Sequence, residues 1–149
     1  MSWIAYTDGG AAPSNPGPAA WGAVIISPEK VVTHHKGYIG HGTNQIAELT
    51  AAIEGLLLVP AGARAELVSD SQYVLKGLTE WRKGWEKNGM RNSKKEVVAN
   101  LALWQRLYEV ADARIVVTRW IKGHSGDKYN EQADILVGEA LASARSNAA

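Results

Sequence analysis

Near residue 44 the hydrophobic pattern of this chain changes period. Before that point, apolar and β-branched residues come in short blocks: Trp3-Ile4-Ala5-Tyr6-Thr7-Asp8, residues 21–26, and Val31-Val32-Thr33, with Tyr38-Ile39 extending the third. Turn residues separate them, namely Gly9-Gly10, Asn15-Pro16-Gly17-Pro18 and Ser27-Pro28-Glu29-Lys30. Short strands joined this way read as an antiparallel meander. After it, Ile46, Leu49, Ile53, Leu56 and Leu57 recur at helical spacing, with Thr43 or Asn44 placed to cap and Pro60 to stop.

The remainder alternates. Residues 65–69 read as a strand ending at Asp70, and residues 71–78 and 79–87 as short helices broken near Gly77 and ended by Asn88-Gly89. Ser93-Lys94-Lys95-Glu96 has the form of a capping box and predicts a helix with Val97, Leu101, Trp104 and Tyr108 on one stripe. Residues 114–121 read as a strand, and residues 129–142 as a last helix with Ala133, Val137 and Leu141 facing the core. The expectation is an α/β fold: a mixed sheet with helices on its faces. No linker or repeat divides it, so residues 1–149 read as one domain, frayed over the last four.

Composition narrows the class. With 149 residues, 46% apolar and 21% charged, the chain is an ordinary globular one. The absence of cysteine excludes a disulfide scaffold and zinc held by thiolates. No apolar run approaches the ~20 residues of a membrane span. Met1-Ser2-Trp3-Ile4 lacks a basic leader, so the chain reads as cytoplasmic and without a membrane partner, and with no large apolar patch evident beyond the predicted core it reads as a monomer. The net charge of +1 is unevenly spread: Arg82, Lys83, Lys87, Arg91, Lys94 and Lys95 stand against one acid, Glu86, a local +5 that leaves −4 elsewhere. A charge run is usually a solvated helix face; on an acidic body it also has the form of a phosphate-binding patch.

Four acids stand out. Asp8 and Asp70 each close a predicted strand, and if those strands lie parallel and adjacent both carboxylates emerge at one edge, where strand order switches. Glu48 and Asp134 lie near helix starts beside apolar neighbours. Each has a local explanation, as a turn residue or a partner of a helix N-terminus. Together they are explained at once by a shared hard cation, because acids among core-facing residues are costly when unpaired. His124 sits in a loop between Gly123 and Gly126. His34, His35, His41 and His124 have no zinc-ligand spacing, and neither a P-loop nor a nucleophile elbow is present.

Seven blocks in order, Tyr6-Thr7-Asp8-Gly9-Gly10, Asn15-Pro16-Gly17-Pro18, Thr43-Asn44-Gln45-Ile46-Ala47-Glu48-Leu49, Ser69-Asp70-Ser71-Gln72-Tyr73-Val74, Leu103-Trp104-Gln105-Arg106-Leu107, Lys122-Gly123-His124-Ser125-Gly126 and Asn130-Glu131-Gln132-Ala133-Asp134, resemble bacterial-type (type 1) ribonuclease H over residues 3–141. The resemblance implies a ribonuclease H-like fold: a five-stranded mixed sheet, three antiparallel strands then two parallel, with helices on both faces. It implies hydrolysis of the RNA strand of RNA–DNA hybrids. It makes Asp8, Glu48, Asp70 and Asp134 the metal-binding catalytic acids, with His124 assisting turnover. Gly9, Asn15, Asn44, Gln45 and Gln72 would contact the hybrid across its minor groove, and Thr43 a DNA-strand phosphate. Trp81, Trp85 and the basic segment after them, Lys87 included, resemble the family's handle-like protrusion over the DNA strand. Three departures are visible. Ile46 replaces an arginine common two residues before the glutamate, Gly84, Glu86 and Asn88 dilute the protrusion's charge, and the loop from Asp8 to Asn15 is one residue longer.

The chemistry implied is two-ion hydrolysis with Mg2+, or Mn2+ as a substitute, giving 5′-phosphate and 3′-hydroxyl ends. Magnesium's preference for oxygen ligands suits carboxylates. Two other functions share parts of the pattern. A DNA nuclease or resolvase of the same wider fold would keep the acids, but Asn15, Asn44, Gln45 and Gln72 resemble hybrid readers. A non-catalytic hybrid-binding module would not need all four acids intact.

Overall fold

The computed structural model describes residues 2–148. Its five strands, β1 (Trp3–Ala11), β2 (Gly17–Ile26), β3 (Val32–Gly42), β4 (Arg64–Ser69) and β5 (Ile115–Trp120), form one sheet in the order β3-β2-β1-β4-β5. β1 pairs antiparallel with β2, and β2 with β3, whereas β4 runs parallel to both β1 and β5. The expected mixed sheet is therefore the observed one.

Alternation along the central strands assigns the two faces. Ala5, Ala23, Ile25 and Leu67 join the cluster built by Leu49, Ile53 and Leu56 of α1 (Asn44–Leu57) and Trp104, Leu107 and Tyr108 of α4 (Leu101–Asp112). Tyr6, Val24, Ile26 and Val68 point the other way, to Ala133 and Leu136 of α5 (Lys128–Ala148). Helices thus cover both faces.

Between β4 and α4 the chain forms α2 (Gln72–Lys76), a single π-helical turn (Gly77–Trp81) and α3 (Arg82–Lys87). The expected break near Gly77 is this widened turn rather than an interruption.

Several boundaries differ from the sequence reading. β1 continues past Asp8 to Ala11 because its backbone still pairs with β2, Gly9 opposite Trp21 and Ala11 opposite Ala19. β3 extends to Gly42 although most of its residues are polar or glycine, since it is an edge strand with little to bury. The capping box at Ser93 does not form. The Asn92 side chain instead accepts the backbone N–H groups of Lys94 (2.9 Å) and Glu96 (3.1 Å), closing a tight turn bridged by Arg91 and Val97. Val97 is consequently exposed, Val98 is buried in its place, and α4 begins at Leu101. α5 continues through Ser146 and Asn147, where fraying was expected, its Ala-rich end favouring helix. The fourth residue of that expectation, Ala149, lies outside the described residues.

Candidate active site

Asp8 occupies the middle of the sheet, opposite Gly22 on β2, and two glycines let helices descend on either side of it. A Cβ on Gly9 would overlap the Ala47 carbonyl, so α1 rests directly on the β1 backbone and brings Glu48 to the same level. A Cβ on Gly22 would meet the Ala133 carbonyl oxygen at 2.5 Å, so α5 is equally close on the opposite face and delivers Asp134. Asp70 follows the last residue of β4. With Tyr6 paired to Val68, the parallel register carries Asp70 alongside Asp8.

Electrostatics ties the four together. Burial, then the charges of Asp70 and Asp134 and a hydrogen bond with Asp134, push the Asp8 carboxyl from 3.8 up to about 8, against a 3.0 Å hydrogen bond from the Gly9 N–H. Glu48 is pushed from 4.5 to about 7, chiefly by burial, with Asp70 adding to the rise and the Ser71 hydroxyl opposing it. Asp70 is itself raised, first by burial and then by Asp134, while His124 and a hydrogen bond from Asn130 pull it down. Asp70 therefore feels or is felt by every other expected member of the site.

Two details depart from expectation. Asp134 is exposed, reaching the cluster from the rim rather than from among core residues. Among the described residues, no three Asp, Glu or His side chains stand close enough to make a ready ligand set for one ion. Burial and mutual repulsion both favour the protonated form of Asp8.

His124 is exposed, with a left-handed backbone (φ 56°), in the loop between β5 and α5. Asn15 and Asn44 organise the neighbouring rim: Asn15 Oδ1 accepts the Asn44 N–H at 3.0 Å, and Asn44 Oδ1 accepts the Ala11 N–H at 2.8 Å. Thr43 caps α1, its hydroxyl oxygen accepting the Ile46 N–H at 3.1 Å. Gln45 and Gln72 are exposed. Trp81 and Trp85 pack against each other (5.6 Å between centroids), with Trp85 seated on Trp104 and Trp81 at the surface beside Tyr73. Lys87 ends α3 and is exposed.

Ser71, Asn130 and Trp120 were not singled out by sequence reasoning. Ser71 and Asn130 are buried beside Glu48 and Asp70, and the Trp120 indole N–H donates to the Asp70 carbonyl at 3.1 Å. The first two lie inside the motif blocks, where a serine and an asparagine adjoining acids were the available signal.

Comparison with known proteins agrees with this geometry. Residues 1–142 match the family model described as RNase H. Ribonuclease H of Pelobacter propionicus is 42% identical over 142 residues, covering 94% of this chain and 85% of the relative. That of Marinobacter nauticus is 44% identical over 138 residues, covering 93% and 92%. The crystal structure of LC11-RNase H1 in complex with an RNA/DNA hybrid superposes with a TM-score of 0.72 at 27% identity, covering 95% of this chain and 98% of that one. The fold and its relatives define a nuclease, a hydrolase of phosphodiester bonds. The chain belongs to the RNase H family, whose members generally depend on a divalent metal.

Proposed function

We propose that this chain, as a single monomeric domain over residues 1–149 acting in the cytoplasm, hydrolyses the RNA strand of RNA–DNA hybrids, with Asp8, Glu48, Asp70 and Asp134 holding two divalent ions, Mg2+ or Mn2+ as a substitute. The reading is carried by Asp8, whose carboxyl is pushed up to about 8 by burial and then by the charges of Asp70 and Asp134. A group of carboxylates that repel one another is a place that gains from a cation. The donor set fits such ions: it is all oxygen, and magnesium keeps several waters, so it does not require a dense cage of protein ligands.

When bound, the ions supply Lewis-acid stabilisation of the phosphorane charge and a water acidic enough to attack at neutral pH. Asp8, which adjoins both Asp70 and Asp134, would contribute to holding both ions, Glu48 and Asp70 would help hold the one that stabilises the leaving group, and Asp134 would help hold the one that activates water. His124, within electrostatic reach of Asp70, passes a proton through its imidazole or loosens the product. The products are a 5′-phosphate and a 3′-hydroxyl.

Gly9, Asn15, Asn44, Gln45 and Gln72 face the minor groove of the hybrid, where a 2′-hydroxyl separates RNA from DNA and carboxamides can donate or accept. Thr43 holds a DNA-strand phosphate, and Trp81, Trp85 and Lys87 lie along the DNA strand. The hybrid carried by a structural relative supports this substrate.

Labelled RNA–DNA, RNA–RNA and DNA–DNA duplexes, each with and without Mg2+, test the reading. Cleavage confined to RNA in the hybrid is the expected result. DNA cleavage would indicate a DNA nuclease or resolvase, and binding without hydrolysis a non-catalytic module. Asp8→Asn is expected to abolish Mg2+-dependent cleavage with an unchanged circular dichroism spectrum; near-normal turnover would refute the metal assignment.

A further inference from the structure

Arg82 opens the basic segment, and its charge alone would count it among the phosphate contacts. Its surroundings give it another task. Nη1 and Nη2 donate in parallel to the two carboxylate oxygens of Asp112, both at 2.6 Å, and Nε donates to Glu86 at 3.2 Å. The guanidinium lies over the Tyr108 ring, 4.4 Å from its centroid. All three nitrogens are thus engaged inside the protein, and the Arg82 side chain is only 24% exposed, against 58% for Asp112.

Glu86 lies in the same helix, but the other two partners belong to a different element. Asp112 ends α4 and Tyr108 lies one turn before it, while Arg82 begins α3, the helix that carries Trp85 and Lys87. The Tyr108 hydroxyl also donates to the Gly77 carbonyl at 2.7 Å, so the same stretch of α4 holds both the start of the π-helical turn and the start of α3. Paired, planar, charge-assisted hydrogen bonds fix orientation in a way that a lysine point charge does not.

We infer that Arg82 is a positioning residue that anchors the basic protrusion to α4 through Asp112, and that it makes no contact with the nucleic acid. This rests on the reading of the protrusion as the part that grips the hybrid's DNA strand. The two possible roles of Arg82 predict opposite effects for a change at its partner. If Arg82 were a phosphate contact, Asp112→Asn would release it and strengthen hybrid binding. As an anchor, Arg82 loses its hold in the same variant and binding weakens.

The experiment measures KM, kcat and the salt dependence of hybrid affinity for the full chain, with Lys87→Ala/Lys94→Ala as reference. Asp112→Asn is expected to raise KM about three- to tenfold with kcat within about twofold, and Asp112→Glu to recover most of the loss. Arg82→Gln should raise KM similarly while leaving the slope of log affinity against log salt unchanged; a lost phosphate contact would lower that slope by about one. An unchanged or lower KM in Asp112→Asn, or a reduced slope in Arg82→Gln, overturns the inference while the lysine variant still binds poorly. A lysine variant that binds as well as the parent overturns the reading of the protrusion, and the anchor with it.

Discussion

Asp8, within β1, and Asp70, just past the end of β4, stand side by side, and the consequences are chemical before they are catalytic. Folded, Asp8 keeps its proton to about pH 8, whereas in the unfolded chain it would release it near 3.8. Between those values the folded state binds the extra proton, so stability falls as pH rises. Glu48, at about 7 against 4.5, acts in the same direction. Thermal melts in chelator are therefore expected to show a midpoint that declines from pH 5 to pH 8, less steeply in Asp8→Asn. Added Mg2+ should flatten the decline, and Mg2+ affinity should rise through pH 7–8 as the protons leave; a midpoint that rises with pH in the metal-free protein would contradict the assignment. Asp8 and Asp70 stood out in the sequence because they end apolar strand blocks, and Glu48 and Asp134 because they lie near helix starts beside apolar neighbours. Ser71 and Asn130 did not, since whether a small polar residue is buried against a carboxylate depends on contacts between distant segments.

Among the elements, α1 and α5 matter most because of how closely they approach the sheet. Gly9 and Gly22 have no side chain to hold them off, and a methyl group at either position must displace helix backbone. Gly22→Ala is expected to cost about 1–3 kcal/mol in denaturant unfolding and to lower kcat more than KM, because Asp134 moves with α5. Gly9→Ala should do the same through Glu48. Wild-type stability and turnover in either variant would remove the argument. Helix α1 could be read from its 3.6-residue period, and β1, β2, β4 and β5 from short blocks of apolar, aromatic and β-branched residues. The α4 boundary could not: Ser93 and Glu96 have the spacing of a capping box, but the neighbouring Asn92 side chain takes the backbone N–H groups first and makes a turn. β3 escaped in part because an edge strand need not alternate apolar and polar residues.

For the whole molecule, charge is distributed by position as well as by number. The segment from Arg82 to Lys95 is basic on an otherwise acidic chain, and with Arg82 engaged by Asp112 and Glu86, the cations of this segment with no acidic partner among the described residues are Lys83, Lys87, Arg91, Lys94 and Lys95. Each phosphate contact releases counterions, so hybrid affinity should fall as salt rises from about 50 to 200 mM. Affinity independent of salt would place the substrate elsewhere. The order of elements has a further effect during synthesis. β1 leaves the ribosome first but acquires its parallel neighbour only once β4 has emerged, some sixty residues later. A nascent chain can build the meander early, yet the proposed acid cluster cannot begin to assemble until Asp70 is out and cannot be complete until Asp134 follows, so the site is a product of the last stage of synthesis.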